Sequence, residues 1–134
     1  MSRHVFTYGS LMFDAVWSLV VSGSYGSMEG HLDRHARFAI DGEDYPGMVP
    51  LDGSRVAGVL HLDVDAEDLQ RLDHFEGDDY RRAVVTVTGI DGLAREAETY
   101  VYLRPDRLLG AAWEPDAFAM QRFLETYCRE RLDP

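Results

Sequence analysis

Three Asp-Gly pairs, Asp41-Gly42, Asp52-Gly53 and Asp91-Gly92, constrain this chain more than any other feature. Asp-Gly accepts the positive φ that tight hairpin turns need. Met48–Leu51 and Val56–Asp63 flank the second pair and are predicted to form a hairpin across it. Ala36–Ile40 runs into the first pair as a short strand. Tyr80–Thr88 and Ala97–Leu103 lie on either side of the third and read as partner strands. The middle of the chain is therefore read as an antiparallel or mixed sheet. Sheets with this many hairpins often close into a barrel.

Three helices complete the pattern. His4–Tyr8 mixes β-branched and aromatic residues and reads as a first strand, which Gly9-Ser10 breaks. Phe13, Val16, Trp17 and Val20 then recur at helical spacing, with Asp14 in the first turn and Ser22-Gly23 at the end. In the second helix Asp65 is the N-cap, with Glu67 and Asp68 beside it. Leu69, Leu72 and Phe75 form its apolar stripe, and Gly77 sits at the C-cap position. A last helix is predicted from Pro115 to about Arg131, burying Met120, Phe123, Leu124 and Tyr127. The fold class expected is α+β, in one domain spanning residues 1–134.

Charge and composition exclude several functions. The net charge is -11, from 24 acids and 13 bases. The acids are spread along the chain, so nucleic acid is repelled, and no polybasic membrane anchor is present. Every base is arginine, which excludes Schiff-base lysine chemistry and a P-loop lysine. Cys128 is the lone cysteine, so no intrachain disulfide forms, in keeping with a reducing cytoplasm. The apolar run Phe13–Val21 is broken by Asp14 and Ser18 and does not read as a signal sequence.

Two elements carry chemistry. In Tyr8-Gly9-Ser10-Leu11 a glycine turn between strand and helix exposes backbone N–H groups, which favour a carboxylate or a developing oxyanion. Ser10 either caps the helix or donates to a ligand; alone, the tetrapeptide reads as a plain structural turn. Glu76 ends the second helix, where the helix dipole and Asp73, Asp78 and Asp79 disfavour its charge. If desolvated as well, it becomes a general acid/base near neutrality. Alone, it reads as a surface glutamate at a frayed end.

The two stand in a longer order: Val5-Phe6-Thr7-Tyr8-Gly9-Ser10-Leu11-Met12, then Tyr45-Pro46-Gly47-Met48-Val49-Pro50, then Val56-Ala57-Gly58-Val59-Leu60. Last comes Leu72-Asp73-His74-Phe75-Glu76-Gly77-Asp78-Asp79-Tyr80-Arg81-Arg82. This succession resembles the γ-glutamylcyclotransferase-like family, of the AIG2-like kind. The resemblance implies a small β-barrel surrounded by helices. It implies that Tyr8, Gly9, Ser10 and Leu11 hold the glutamyl group of a small γ-glutamyl substrate, and that Glu76 is the acid/base. Tyr80 is placed at the pocket mouth. The implied reaction is intramolecular: the substrate's α-amine attacks its own γ-carbonyl, releasing 5-oxoproline and an amine or amino acid. It needs no nucleophile, metal or cofactor. The alternatives are a non-catalytic metabolite-binding module on the same fold and a lyase that removes a γ-glutamyl group from a larger biosynthetic product. No oligomeric state is read from the sequence.

Other signals carry less. His31 and His35, with Asp33 between, read as a solvated loop rather than a metal site. His61 and Asp63 are placed on one face of a strand, too few to hold a metal. His74 reads as an exposed helix residue, and Cys128, Trp17 and Trp113 as packing.

Overall fold

The computed structural model describes residues 2–132. Strand β1, Ser2–Thr7, leads through a 3₁₀ turn at Ser10–Met12 into helix α1, Asp14–Val20. Two long strands follow, β2 at Ser27–Ile40 and β3 at Pro46–Asp65, then helix α2, Ala66–Glu76. Strands β4, Tyr80–Gly89, β5, Ala94–Tyr102, and β6, Leu108–Ala112, complete the sheet. The C-terminal helical segment comprises α3, Met120–Phe123, a π turn at Leu124–Cys128, and α4, Arg129–Leu132.

The strand pairings run in a ring. β1 lies antiparallel to β3 and parallel to β5, β5 antiparallel to β4, β4 to β2, and β2 back to β3. β6 is appended to the outer part of β2. One buried cluster takes residues from all five ring strands: Phe6, Leu32, Met48, Val56, Leu60, Val87 and Ala97, with Tyr8 just after β1. The other packs α1, α2 and the C-terminal segment against the sheet, through Val16, Trp17, Leu69, Leu72, Phe75, Phe123 and Tyr127 among others. The site lies where the two clusters meet.

Several expectations hold. Asp65 accepts a hydrogen bond from the Asp68 N–H as N-cap of α2, and Gly77 closes the helix at φ 81°. Asp91-Gly92 turns β4 into β5, with Gly92 at φ 83°. Trp17, Trp113 and Cys128 are buried, and His74 is exposed.

Three expectations are corrected, and one strand is new. Asp52-Gly53 is not a hairpin turn: Asp33 pairs with Arg55 and His35 with Pro50, so residues 51–54 bulge from β3 opposite Arg34. Gly53 has φ 82° and Arg34 φ 62°, and a bulge uses the same positive-φ chemistry as a turn. The hairpin instead turns at Asp41-Gly42. Residues 27–35, read as loop around His31 and His35, form the first half of β2. β6 was not foreseen. Finally, Pro115 opens only a 3₁₀ turn, and the helix begins at Met120.

Candidate active site

The chain leaves β1 at Thr7 and turns at once. Gly9 is required here for space: a Cβ would lie 2.8 Å from Pro46 Cδ. The Met12 and Phe13 N–H groups bond back to the Gly9 and Ser10 carbonyls, at 3.0 and 3.2 Å. Among the described residues, no backbone or side-chain acceptor meets the N–H groups of Gly9, Ser10 and Leu11. The cap of α1 is Phe13, and Ser10 makes no capping bond. The free donors thus belong to the tight turn ahead of α1, not to the helix itself, and the Ser10 hydroxyl is uncommitted.

Glu76 is the last residue of α2 and lines the same pocket as the turn. Glu76 is half-buried, and desolvation of its carboxyl raises its pKa to about 8. The Arg131 charge opposes the rise and Asp73 adds to it. Burial, not the neighbouring acids, is therefore the main cause, and Asp78 and Asp79 do not enter. Among the described residues, none donates a hydrogen bond to this carboxyl.

Tyrosines form most of the wall. Tyr8 Oη donates to the Tyr100 carbonyl at 2.7 Å, and Tyr80 Oη to the Pro46 carbonyl at 2.7 Å. Tyr100 Oη donates to Asp73 at 2.7 Å. Tyr127 Oη donates to the carbonyls of Phe75 and Glu76, at 2.6 and 3.1 Å. These are carbonyls that the end of α2 leaves without partners. Burial raises the pKa of all four phenols, so they remain neutral donors. Tyr8 therefore lines the site with its ring while its hydroxyl serves the fold, and the same holds for Tyr80.

The pocket bounded by Tyr8–Leu11, Tyr45, Pro46, Glu76, Tyr80 and Tyr127 encloses about 20 Å³, room for one water. It continues past Tyr45, Glu76, Tyr80 and Tyr127 into a surface hollow of about 530 Å³ edged by Asp73, Asp78, Asp79, Glu130 and Arg131.

All six residues singled out in the sequence, Tyr8, Gly9, Ser10, Leu11, Glu76 and Tyr80, line this one pocket. Tyr100 from β5 and Tyr127 from the C-terminal segment also line it, and Arg131 edges the outer hollow; none of the three has a site role in the sequence reading. Only tertiary packing brings them in, and no spacing signals it. His61 and Asp63 do not share a face: Asp63 has φ 54° and is exposed, whereas His61 is buried. The His61 ring stacks on Trp17 at 3.6 Å, and desolvation lowers its pKa to about 4.

Comparison with known proteins agrees in sequence and shape. The family model for gamma-glutamyl cyclotransferase, AIG2-like, matches residues 5–115. Protein AIG2 C of Arabidopsis thaliana is 30% identical over 132 residues, covering 94% of this chain and 79% of that protein. AIG2-like protein D of the same plant is 31% identical over 123 residues, covering 90% and 76%. A solution structure of an Arabidopsis thaliana protein superposes with a TM-score of 0.75 at 28% identity, covering 97% of this chain and 82% of that one. A structure described as gamma-glutamyl cyclotransferase shares the fold at a TM-score of 0.66 and 19% identity, covering 76% and 67%. With its Tyr-Gly-Ser-Leu turn and Glu76 on one pocket, the chain belongs to the gamma-glutamyl cyclotransferase, AIG2-like family.

Proposed function

We propose that this protein is a cyclotransferase that converts a γ-glutamyl amine or γ-glutamyl amino acid into 5-oxoproline and the free amine. The observation that carries this reading is one carboxyl, Glu76, with its pKa raised to about 8, lining the same pocket as a turn whose N–H groups are uncommitted. A pocket built only to bind anions gains nothing from a carboxyl among its donors. A base poised near neutrality is what proton transfer from an ammonium requires.

In this reading the N–H groups of Gly9, Ser10 and Leu11 receive the glutamyl α-carboxylate, and the turn supports the oxyanion as it forms. The substrate folds so that its α-nitrogen meets its γ-carbonyl carbon. Ionised Glu76 takes a proton from the α-ammonium. The freed amine forms the new C–N bond, and the carbonyl electrons move onto oxygen. Glu76 returns that proton to the leaving nitrogen as its bond to carbon breaks, and then relays the ring nitrogen's second proton to the released amine, which leaves as the ammonium while 5-oxoproline keeps a single N–H. Tyr8 and Tyr80 wall the glutamyl end. The five-strand ring is read as the small barrel that holds β1 and the end of α2 at fixed separation, within a single domain. Because the inner part of the pocket has room for one water, its aromatic wall moves outward to admit a substrate in this reading.

The test is release of 5-oxoproline from a panel of γ-glutamyl amines and amino acids, comparing wild type with Glu76→Gln. Turnover by wild type and a loss of about a hundredfold or more in the variant supports the reading. Binding of 5-oxoproline without turnover of any member replaces it with the binding-module alternative.

A further inference from the structure

Arg37 lies on β2, outside every motif that points to the site, yet it reaches the site's backbone. Its Nη1 donates to the Tyr8 carbonyl at 2.7 Å and to the Ala57 carbonyl of β3 at 3.1 Å. The guanidinium lies 5.3 Å from the centre of the Trp113 ring. Trp113 is itself fixed, since its Nε1 donates to the Asp44 carbonyl at 2.8 Å. The arginine is therefore held from two sides and donates to two backbone oxygens rather than to a carboxylate.

The Tyr8–Gly9 peptide is trans, so its C=O and N–H point in opposite directions. With Arg37 on the carbonyl side, the Gly9 N–H points away from Arg37. Gly9 is a pocket residue, and no acceptor meets this N–H among the described residues. A cation on the carbonyl also draws electrons through the amide and strengthens the opposite N–H as a donor.

We propose that Arg37 is a positioning residue: it fixes the Tyr8–Gly9 peptide plane and so aims and strengthens the Gly9 N–H toward the substrate's α-carboxylate. The proposal rests on the cyclotransferase reading for its substrate, but not for its geometry. The carboxylate carries its charge in both ground and transition states, so losing this aim raises KM and leaves kcat nearly intact. Glu76→Gln acts the other way, on kcat.

The experiment compares Arg37→Met and Arg37→Lys with wild type, using any γ-glutamyl compound that wild type turns over. In parallel, ¹H–¹⁵N spectra follow the Gly9 amide with and without added 5-oxoproline. Expected for Arg37→Met is a KM rise of about tenfold with kcat within about twofold, and an upfield move of the Gly9 amide proton. Arg37→Lys, which keeps a cationic donor, recovers part of both. Unchanged KM and an unmoved Gly9 amide in a folded Arg37→Met overturn the proposal, as does a fall in kcat alone. If Arg37→Met does not fold, Arg37→Lys decides: wild-type KM and Gly9 shift together with a kcat defect overturn it. If wild type turns over nothing, the cyclotransferase reading fails by itself. The Gly9 amide, moving or still in the variants, then settles the geometry.

Discussion

Helix α2 carries two carboxyl groups in enclosed positions, Asp68 near its start and Glu76 at its end, and they have opposite fates. Asp68 is completely buried yet surrounded by donors. Tyr25 Oη reaches it at 2.6 Å, the N–H groups of Ser22 and Gly23 at 2.9 Å each, and Arg71 at 2.6 Å. Burial alone would raise its pKa, but these donors together hold it well below the ordinary carboxylate range. Glu76 receives no such donor among the described residues, and desolvation lifts it to about 8. Burial does not by itself decide the charge of a carboxyl; the count of donors aimed at it does. Asp68 is a structural latch, tying the chain after α1 to α2. Glu76 is held by its backbone, through Tyr127, while its carboxyl is left free to exchange a proton.

The contrast predicts effects of different size on different observables. Glu76→Gln is expected to cost about a hundredfold or more in 5-oxoproline release while the folded state persists; equal activity in variant and wild type would break the comparison. Asp68→Asn should do the reverse. Removing the charge from a buried and fully bonded carboxylate is expected to cost about 2–4 kcal/mol in denaturant unfolding, with kcat little changed. A separate effect comes from pH. Glu76 has a folded pKa above its ordinary 4.5, so its contribution to stability is complete below 4.5 and is lost as pH rises through about 8. Asp68 is depressed from its ordinary 3.8, so its contribution is present above that value and is lost as pH falls through its lower folded pKa. Stability curves of wild type and Glu76→Gln should therefore separate between 4.5 and about 8, with the variant the more stable on the alkaline side. In the same window kcat/KM of wild type should rise as Glu76 ionises. The smallest effect is expected for Tyr127→Phe. Losing one hydroxyl from the end of α2 should cost about 1 kcal/mol and reduce kcat by less than about tenfold.

How far the sequence revealed this depends on where the signal was local. Asp65, Gly77 and the stripe Leu69, Leu72, Phe75 defined α2, because capping and helical spacing involve residues a turn apart. The Tyr8–Leu11 turn and the position of Glu76 were legible for the same reason. The desolvation of Glu76 was not, because the pocket it lines is built from residues as distant in sequence as Tyr8 and Tyr127. Asp52-Gly53 misled because positive φ at a glycine serves a bulge as well as a hairpin, and only the partner strand distinguishes them. The first half of β2 was missed because Glu29, Gly30, His31 and Asp33 give no clean apolar alternation. Gly30 packs closely there, where a Cβ would lie 3.1 Å from the Thr88 carbonyl oxygen, so the strand is set by its neighbours rather than by its own propensity. Arg37 was invisible as a site residue since its target is a backbone carbonyl.

The most direct measurement is an NMR titration of the side-chain carboxyl carbons of Glu76 and Asp68 in the folded protein. Glu76 is expected to titrate at about 8, while Asp68 stays ionised to below its ordinary 3.8. A Glu76 that titrates near 4.5 would show a solvated carboxyl, and would contradict its role as the acid/base of this site.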